Sequence, residues 1–550
     1  MGFKEEKIME SKDIENRDKS DNIENKQDIK IENKKIDEDK KRDIKKKNFE
    51  FKKRHFFLIA IFFIYFFVRI FYSLQSNYFE DDNSYFSLRQ IDTIIEKGKP
   101  VLYDDLSYSG RTFYFMPFYY YLMALITKFF LIFLSNIDKI IILKILNNFF
   151  ASLIVFPIYL IISHIEKNRN ISLICTFLAS TFPLYIIETI NKLNIYSIFF
   201  PLLLFLTYVF IKLDLENTNL IIFLSIVLVL TSQYSMIFLI GFLIYYLLSY
   251  IENTEVEKIK IEFFLFFLLF FFWANFIIFK NGIIANKINF LWQNIPELLL
   301  GQYFKEIDIY SLITSIGLLQ VFFGVYTIYN YLVNAKNKNI LFIISLFFST
   351  IFLSSQKIIP YRLSIISLSI LNILLFGIFW SDFFSNFKKT KLFNHEYKVY
   401  IALILGLIIF QAIPTIFILK NKDYDYSYYE NYKLLKNIEN STILGLPEDG
   451  HLITYFGNKK NIIDNEFLGI SEINEITKDI FNVYNKNLKI ENLNILNKYN
   501  SEYILFSKFK EKYNITKTDF IDSCFDIIIK EKNFELYKQN KDKCKIQTIN

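Results

Sequence analysis

The chain has 550 residues, of which 53% are hydrophobic and 19% aromatic, a surplus that one soluble core cannot bury, so it reads as a polytopic membrane protein. The formal charge of +7 is spread over the N-terminal tail and the loops between apolar runs, so it follows the positive-inside rule and is no nucleic-acid signal. Three cysteines and four histidines far apart in sequence (His55, His164, His395, His451) offer no Cys/His metal spacing.

Residues 1–54 hold 18 Lys/Arg against 15 Asp/Glu with almost no aromatics, the make-up of a disordered, solvated tail. The first apolar run starts too late and is too long for a cleaved signal peptide. That run, 56–74, follows Lys52-Lys53-Arg54, which places the N-terminus in the cytoplasm. Further spans are expected at 139–163, 171–189, 195–212, 219–231, 234–251, 261–279, 309–333, 338–355, 361–380 and 399–419.

The segment 113–134 is apolar enough to be another, and loop charge decides. With it outside the count, the cytoplasmic loops carry 11 Lys/Arg and the opposing short loops 6; with it crossing, the excess inverts. Eleven spans are therefore expected, with Tyr114, Tyr119, Tyr120 and Tyr121 at headgroup level along the outer interface. An odd count puts 421–550 outside. There, strand-like runs at 452–456, 503–506 and 525–529 alternate with polar helical stretches, as in a small α/β domain. On that side Cys524 and Cys544 are free to pair, and Asn440-Ser441-Thr442 and Asn514-Ile515-Thr516 are sequons. The domains so read are a tail (1–54), a transmembrane part (55–420) with a large external loop (75–138), and an external α/β domain (421–550).

That loop opens on Glu80-Asp81-Asp82-Asn83-Ser84-Tyr85-Phe86, acids placed at a lipid–water boundary where carboxylates are costly. Helical spacing from Ser84 to Glu96 puts Tyr85, Leu88, Ile91 and Ile95 on one face, suited to an interfacial helix that Gly98-Lys99-Pro100 ends. A carboxylate at the mouth of a membrane cavity can take a proton from an acceptor while nearby cations hold the leaving group. The acids can equally serve as caps of the Ser84 helix.

The order of a span, an acid-led external loop, an aromatic helix carrying Arg89, Gly98-x-Pro100, Ser107-Tyr108-Ser109-Gly110-Arg111 and Pro117 resembles the GT-C glycosyltransferases, which include protein mannosyltransferases, aminoarabinose transferases and oligosaccharyltransferase catalytic subunits. In many relatives the acid directly precedes Ser-Tyr-Phe; here Asn83 holds that register and Asp82 lies one residue earlier. The resemblance implies a sugar donor linked to polyprenyl phosphate and a protein, lipid or glycan acceptor on the outer face. Asp82 is then the catalytic base, with Asp81 as fallback. Arg89 or Arg111 would bind donor phosphate or hold the loop, and Lys357, Tyr361 and Arg362 would bind donor phosphate. Glu188 stands where a second acidic motif holds a divalent metal (Mg or Mn), with one acid present here.

The stretch Glu448-Asp449-Gly450-His451 followed by Asp464-Asn465 resembles the external domain of oligosaccharyltransferases, without their paired Trp. It offers Asp449 and His451 as acceptor contacts, or an Asp-Gly turn. Transfer of a whole glycan to Asn is the nearer alternative, and a non-catalytic scaffold, assembly factor or transporter the more distant one. Spans nearly free of charge and lacking a repeat speak against conduction.

Overall fold

The computed structural model describes residues 55–544 except 109, 135, 167–168, 288–294, 304–316, 334–336, 388, 391–395, 423–425 and 541. The expected tail 1–54 and the first part of the span expected at 309–333 lie outside the described residues. The chain divides into two units at Ala60, and every contact below belongs to the unit that starts at Ile61.

A helix satisfies its own backbone in hydrocarbon, and the long apolar runs fold accordingly. Six helices are long and apolar enough to span: His55–Ser73, Lys139–Glu166, Gln233–Ile251, Lys258–Asn286, Lys338–Ser355 and Tyr361–Phe387. A seventh is the pair Arg169–Ser180 and Pro183–Thr189 taken together, bent by 49°. The four remaining expected spans coincide with shorter or interrupted helices: Tyr196–Ile211, Thr218–Thr231, Leu318–Val333, and Glu396–Leu407 continued through a π-helical turn to Ile413–Asn421. The protein is polytopic and α-helical, and among the described residues six or seven helices reach the length of a full span.

Tyr361–Phe387 is buried along 89% of its apolar stretch and is the hub; Lys258–Asn286, buried along 28%, is rim. Close approach at the hub depends on Gly377, where a Cβ would stand 2.9 Å from the Cys175 sulfur, and Cys175 itself is a buried free thiol. The bend before Pro183 frees carbonyls that neighbouring side chains take up. Thr415 donates to the Thr181 carbonyl at 2.7 Å, and Gln411, in the π-helical turn, to that of Leu178 at 2.9 Å.

Outside this bundle the loop after the first span forms the helix Asp82–Lys97, ended by Gly98 at φ 74°, then the hairpin β1 (Tyr103–Asp104) and β2 (Arg111–Thr112) and the helix Phe118–Phe133. The apolar face of Asp82–Lys97 meets protein and not the lipid boundary: Tyr85, Leu88 and Ile91 are fully buried in a core shared with Tyr119, Met123, Tyr429 and Phe456. Tyr119 and Tyr120 are buried there too, away from any headgroup, while Tyr121 is exposed. Aromatic partners from the C-terminal segment supply this burial, with Phe456 4.9 Å and Tyr429 5.5 Å from the Tyr85 ring.

The C-terminal segment is α/β. Strands β3 (Thr442–Leu444), β4 (Lys460–Asn461), β5 (Ser501–Ser507), β6 (Phe525–Glu531) and β7 (Phe534–Gln539) lie in the order β4-β3-β5-β7-β6. β3 is parallel to β4 and β5, and β7 is antiparallel to β5 and β6. One face of the sheet joins the loop core and the other packs on the helices Ile473–Asn485 and Lys489–Lys498. Cys524 and Cys544 form a disulfide. The strand expected at 452–456 is instead helical, continuing from Pro447 to Gly457. These residues are buried nearly all round, so the two-residue alternation that marks a strand carries no information there. Gly450 is not in a turn but in this helical stretch, where a Cβ would collide with the Ile463 carbonyl and the Asp464 side chain.

Candidate active site

The helix Asp82–Lys97 begins at a cavity of about 580 Å³. Its walls are the start of that helix, the end of the bent pair, the Ser232–Tyr234 turn, the start of Tyr361–Phe387 and the segment Asn465–Leu468. Asp81 holds the N-cap position with extended backbone, yet its side chain caps no backbone amide and accepts from the Ser84 hydroxyl. Asp82 is buried to 6% exposure and accepts from Asn465 Nδ2 at 2.7 Å. Burial pushes its pKa well above the usual carboxylate range, the charges of Asp81 and Glu448 add to the effect, and the Asn465 hydrogen bond opposes it. Asn83, in the register where relatives place the acid, is exposed and also lines the cavity.

Facing these acids is a cluster that only partly follows from the sequence. Glu188 accepts from Lys192 Nζ at 3.0 Å and from Arg362 Nη1 at 2.6 Å, and all three line the cavity. Lys192 escaped the sequence reading; its i,i+4 spacing from Glu188 was the available signal. Burial works against the ammonium charge, but the carboxylates of Glu188, Asp81 and Glu80 outweigh it and hold the pKa above the usual lysine range.

The strap that carries Lys192 is built from buried amides. Where the bent pair ends, Asn147 Nδ2 donates to the carbonyls of Thr189 at 2.7 Å and Lys192 at 2.9 Å, and Asn148 Nδ2 to that of Ile190 at 2.9 Å. The Glu80 amide donates to the Asn191 carbonyl at 2.9 Å, and the Leu193 amide to Ser84 Oγ at 2.8 Å. Lys144 donates to the carbonyls of Ser73, Ser76 and Tyr78 at 2.9, 2.6 and 3.0 Å and so holds the chain leading to the acids. Asp81, Asp82 and Lys192 are thereby fixed relative to one another, as preorganised electrostatics require.

The other anticipated residues lie off the cavity wall. Arg89 makes a two-pronged pair with Asp104 at 2.5 and 2.7 Å. Arg111 pairs with Asp464 at 2.8 Å, donates to the Glu466 carbonyl, and lies over the Phe113 ring at 4.1 Å. Lys357 is exposed at the turn before the hub helix, and Tyr361 packs against Ile365 and Leu368. Asp449 is buried, accepting from the Tyr432 hydroxyl at 2.5 Å and the Leu446 amide at 2.9 Å, and burial pushes its pKa up to about 7. His451 is buried beside Phe86, and burial pushes its pKa down to about 4, leaving a neutral ring. The C-terminal segment instead reaches the cavity through Glu448, Asn465 and Glu466, whose carboxyl burial raises to about 7.

No family model matches the sequence, and no curated protein matches it. Solved structures do. An archaeal oligosaccharyltransferase, AglB from Archaeoglobus fulgidus, in complex with an inhibitory peptide and a dolichol-phosphate, aligns over 89% of this chain and 75% of its own, with a TM-score of 0.58 and 11% identity. The Archaeoglobus fulgidus oligosaccharyltransferase in complex with Zn and sulfate aligns over 82% and 68%, with a TM-score of 0.55 and 12% identity. ArnT from Cupriavidus metallidurans, bound to undecaprenyl phosphate, aligns over 89% and 98%, with a TM-score of 0.51 and 9% identity. The fold is that of the GT-C glycosyltransferases.

In this GT-C fold the residues present do not fit a divalent ion well. Among the described residues no three His, Cys, Asp or Glu side chains converge to hold one. Glu188, the residue the resemblance assigns to metal, has an ammonium on one oxygen and a guanidinium on the other.

Proposed function

We propose that this protein is a membrane glycosyltransferase that moves a sugar from a polyprenyl-phosphate donor to an acceptor on the outer face of the membrane. The observation that carries the reading is one cavity with Asp81 and Asp82 on one wall and the Glu188–Lys192–Arg362 cluster on another. The acceptor oxygen or nitrogen attacks the anomeric carbon, its proton passes to the Asp82 carboxylate, and the bond from that carbon to the phosphate oxygen breaks. The electron pair leaves with the lipid phosphate, beside Lys192 and Arg362. A carboxylate whose pKa burial has raised is the better base for such a proton.

The tail is cytoplasmic, eleven segments cross, and 421–550 together with the loop 75–138 caps the outer face. The contacts of Phe118–Phe133 favour its lying along the surface, since Lys128 donates to the Ile95 carbonyl at 3.4 Å and Lys139, just beyond, pairs with Asp92 at 2.6 Å. Both neighbours belong to the loop helix. Transfer of a whole glycan to Asn is the second reading, favoured by the C-terminal segment closing the cavity through Asn465–Leu468. Against it, the segment offers no paired Trp, and Asp449 and His451 point into the core.

The test is transfer by the full chain in nanodiscs, supplied with radiolabelled polyprenyl-phosphate sugars and a host membrane extract. Asp82→Asn should lower the rate roughly a hundredfold to ten-thousandfold. An Asp82→Asn protein as active as the unsubstituted one removes Asp82 as base, and transfer only to a sequon peptide establishes the second reading.

A further inference from the structure

Resting on the transferase reading, the geometry points to Lys192 as a built-in cation that neutralises donor phosphate in place of a divalent metal. Three observations place it there. Lys192 lines the cavity with its ammonium 3.0 Å from Glu188 Oε2, and the residue is only 5% exposed. The second oxygen of Glu188 accepts from Arg362 at 2.6 Å, so each carboxylate oxygen already has a protein cation beside it whose charge opposes a metal ion there. Finally, the backbone that carries Lys192 is clamped by Asn147, Asn148 and the Glu80 amide, which fixes the point from which this buried side chain projects.

The charge count suits the reaction. Two cations and one carboxylate leave the cluster with one net positive charge, and of the two other carboxylates that act on Lys192, Glu80 is paired with Lys422 and Asp81 accepts from the Ser84 hydroxyl. A sugar phosphodiester carries one negative charge and the departing lipid monoester two, so the cluster binds the donor and gains in attraction as the bond breaks. Glu188 acts as a positioning residue that holds the two cations apart. Arg362, 63% exposed along its side chain, retains guanidinium nitrogens free to move to the phosphate.

The experiment is binding of undecaprenyl phosphate to the full chain in nanodiscs, in excess EDTA and again in millimolar MnCl2, with Lys192→Met and Lys192→Arg alongside. Mn²⁺ is also titrated into the protein without lipid. The expected dissociation constants agree within about twofold between EDTA and Mn²⁺, Lys192→Met weakens binding about tenfold or more, and Lys192→Arg keeps most of it. Binding that EDTA abolishes and Mn²⁺ restores overturns the inference, as does Lys192→Met binding like the unsubstituted protein. If Lys192→Met fails to fold, the EDTA and Mn²⁺ comparison on the unsubstituted protein decides. Lipid phosphate bound in neither condition defeats the donor reading itself, and saturable Mn²⁺ binding to the bare protein then separately overturns the claim that no metal is held.

Discussion

Asp82 keeps its proton to higher pH than a solvated aspartate because its carboxyl is enclosed, with Asp81 and Glu448 nearby and one compensating bond from Asn465. As base it works only when ionised, so transfer should rise with pH through a limb lying well above the usual aspartate range. Asn465→Ala removes the stabilising bond and should move that limb to higher pH. Glu448→Gln removes a like charge and should move it to lower pH. A pH–rate profile in which both variants overlay the parent would detach the limb from Asp82. At this scale the edges of the apolar runs drew attention in the sequence to Asp81, Asp82, Glu188 and Arg362, four residues that line one cavity. For Arg89 and Arg111 the sequence left phosphate binding and loop holding both open, because the acids they pair with are remote: Asp104 lies 15 residues on and Asp464 lies 353 residues on.

Between elements, the loop and the C-terminal segment are joined by a buried charge pair. The Arg111 and Asp464 side chains are 3% and 0% exposed, and Ser107 and the Tyr108 hydroxyl also bond at Asp464. His451 stands 3.8 Å from the same carboxylate but is held neutral, so Arg111 is its counter-charge. Removing one member strands the other without solvent. Arg111→Leu should therefore destabilise by about 3–5 kcal/mol, read as an earlier thermal transition of the detergent-solubilised protein. Arg111→Leu with Asp464→Leu should recover most of that loss; a double variant no better than the single one would show that the pair is not what holds these elements together. Long apolar runs announced their helices in the sequence, as did β5 and β6. Buried on all sides, 447–457 gave no periodicity to read, and the short β3 and β4 gave too few residues.

Across the whole molecule the chain order of the helices makes a claim about the two membrane faces. The Ser232–Tyr234 turn, the residues following Thr189 and those preceding Tyr361 all border the cavity, and Lys422, after the last apolar helix, pairs with Glu80 beside it. The turn Leu215–Asn217 joins the opposite ends of Tyr196–Ile211 and Thr218–Thr231. If eleven segments cross and Phe118–Phe133 does not, the β6–β7 turn is outside and Leu215–Asn217 inside. The native cysteines suit a labelling test, since Cys175 is buried and Cys524 and Cys544 are joined. Lys532→Cys and Glu216→Cys place single thiols at exposed sites on the two turns. An impermeant maleimide added to intact cells should label Lys532→Cys and reach Glu216→Cys only after permeabilisation. Because Arg111 pairs with Asp464 and Asn465 bonds Asp82, the loop and the C-terminal segment share one face, so the reverse pattern would mean that the whole bundle is inverted, with the basic loops outward against the charge rule and the cavity with Asp82 open to the cytoplasm.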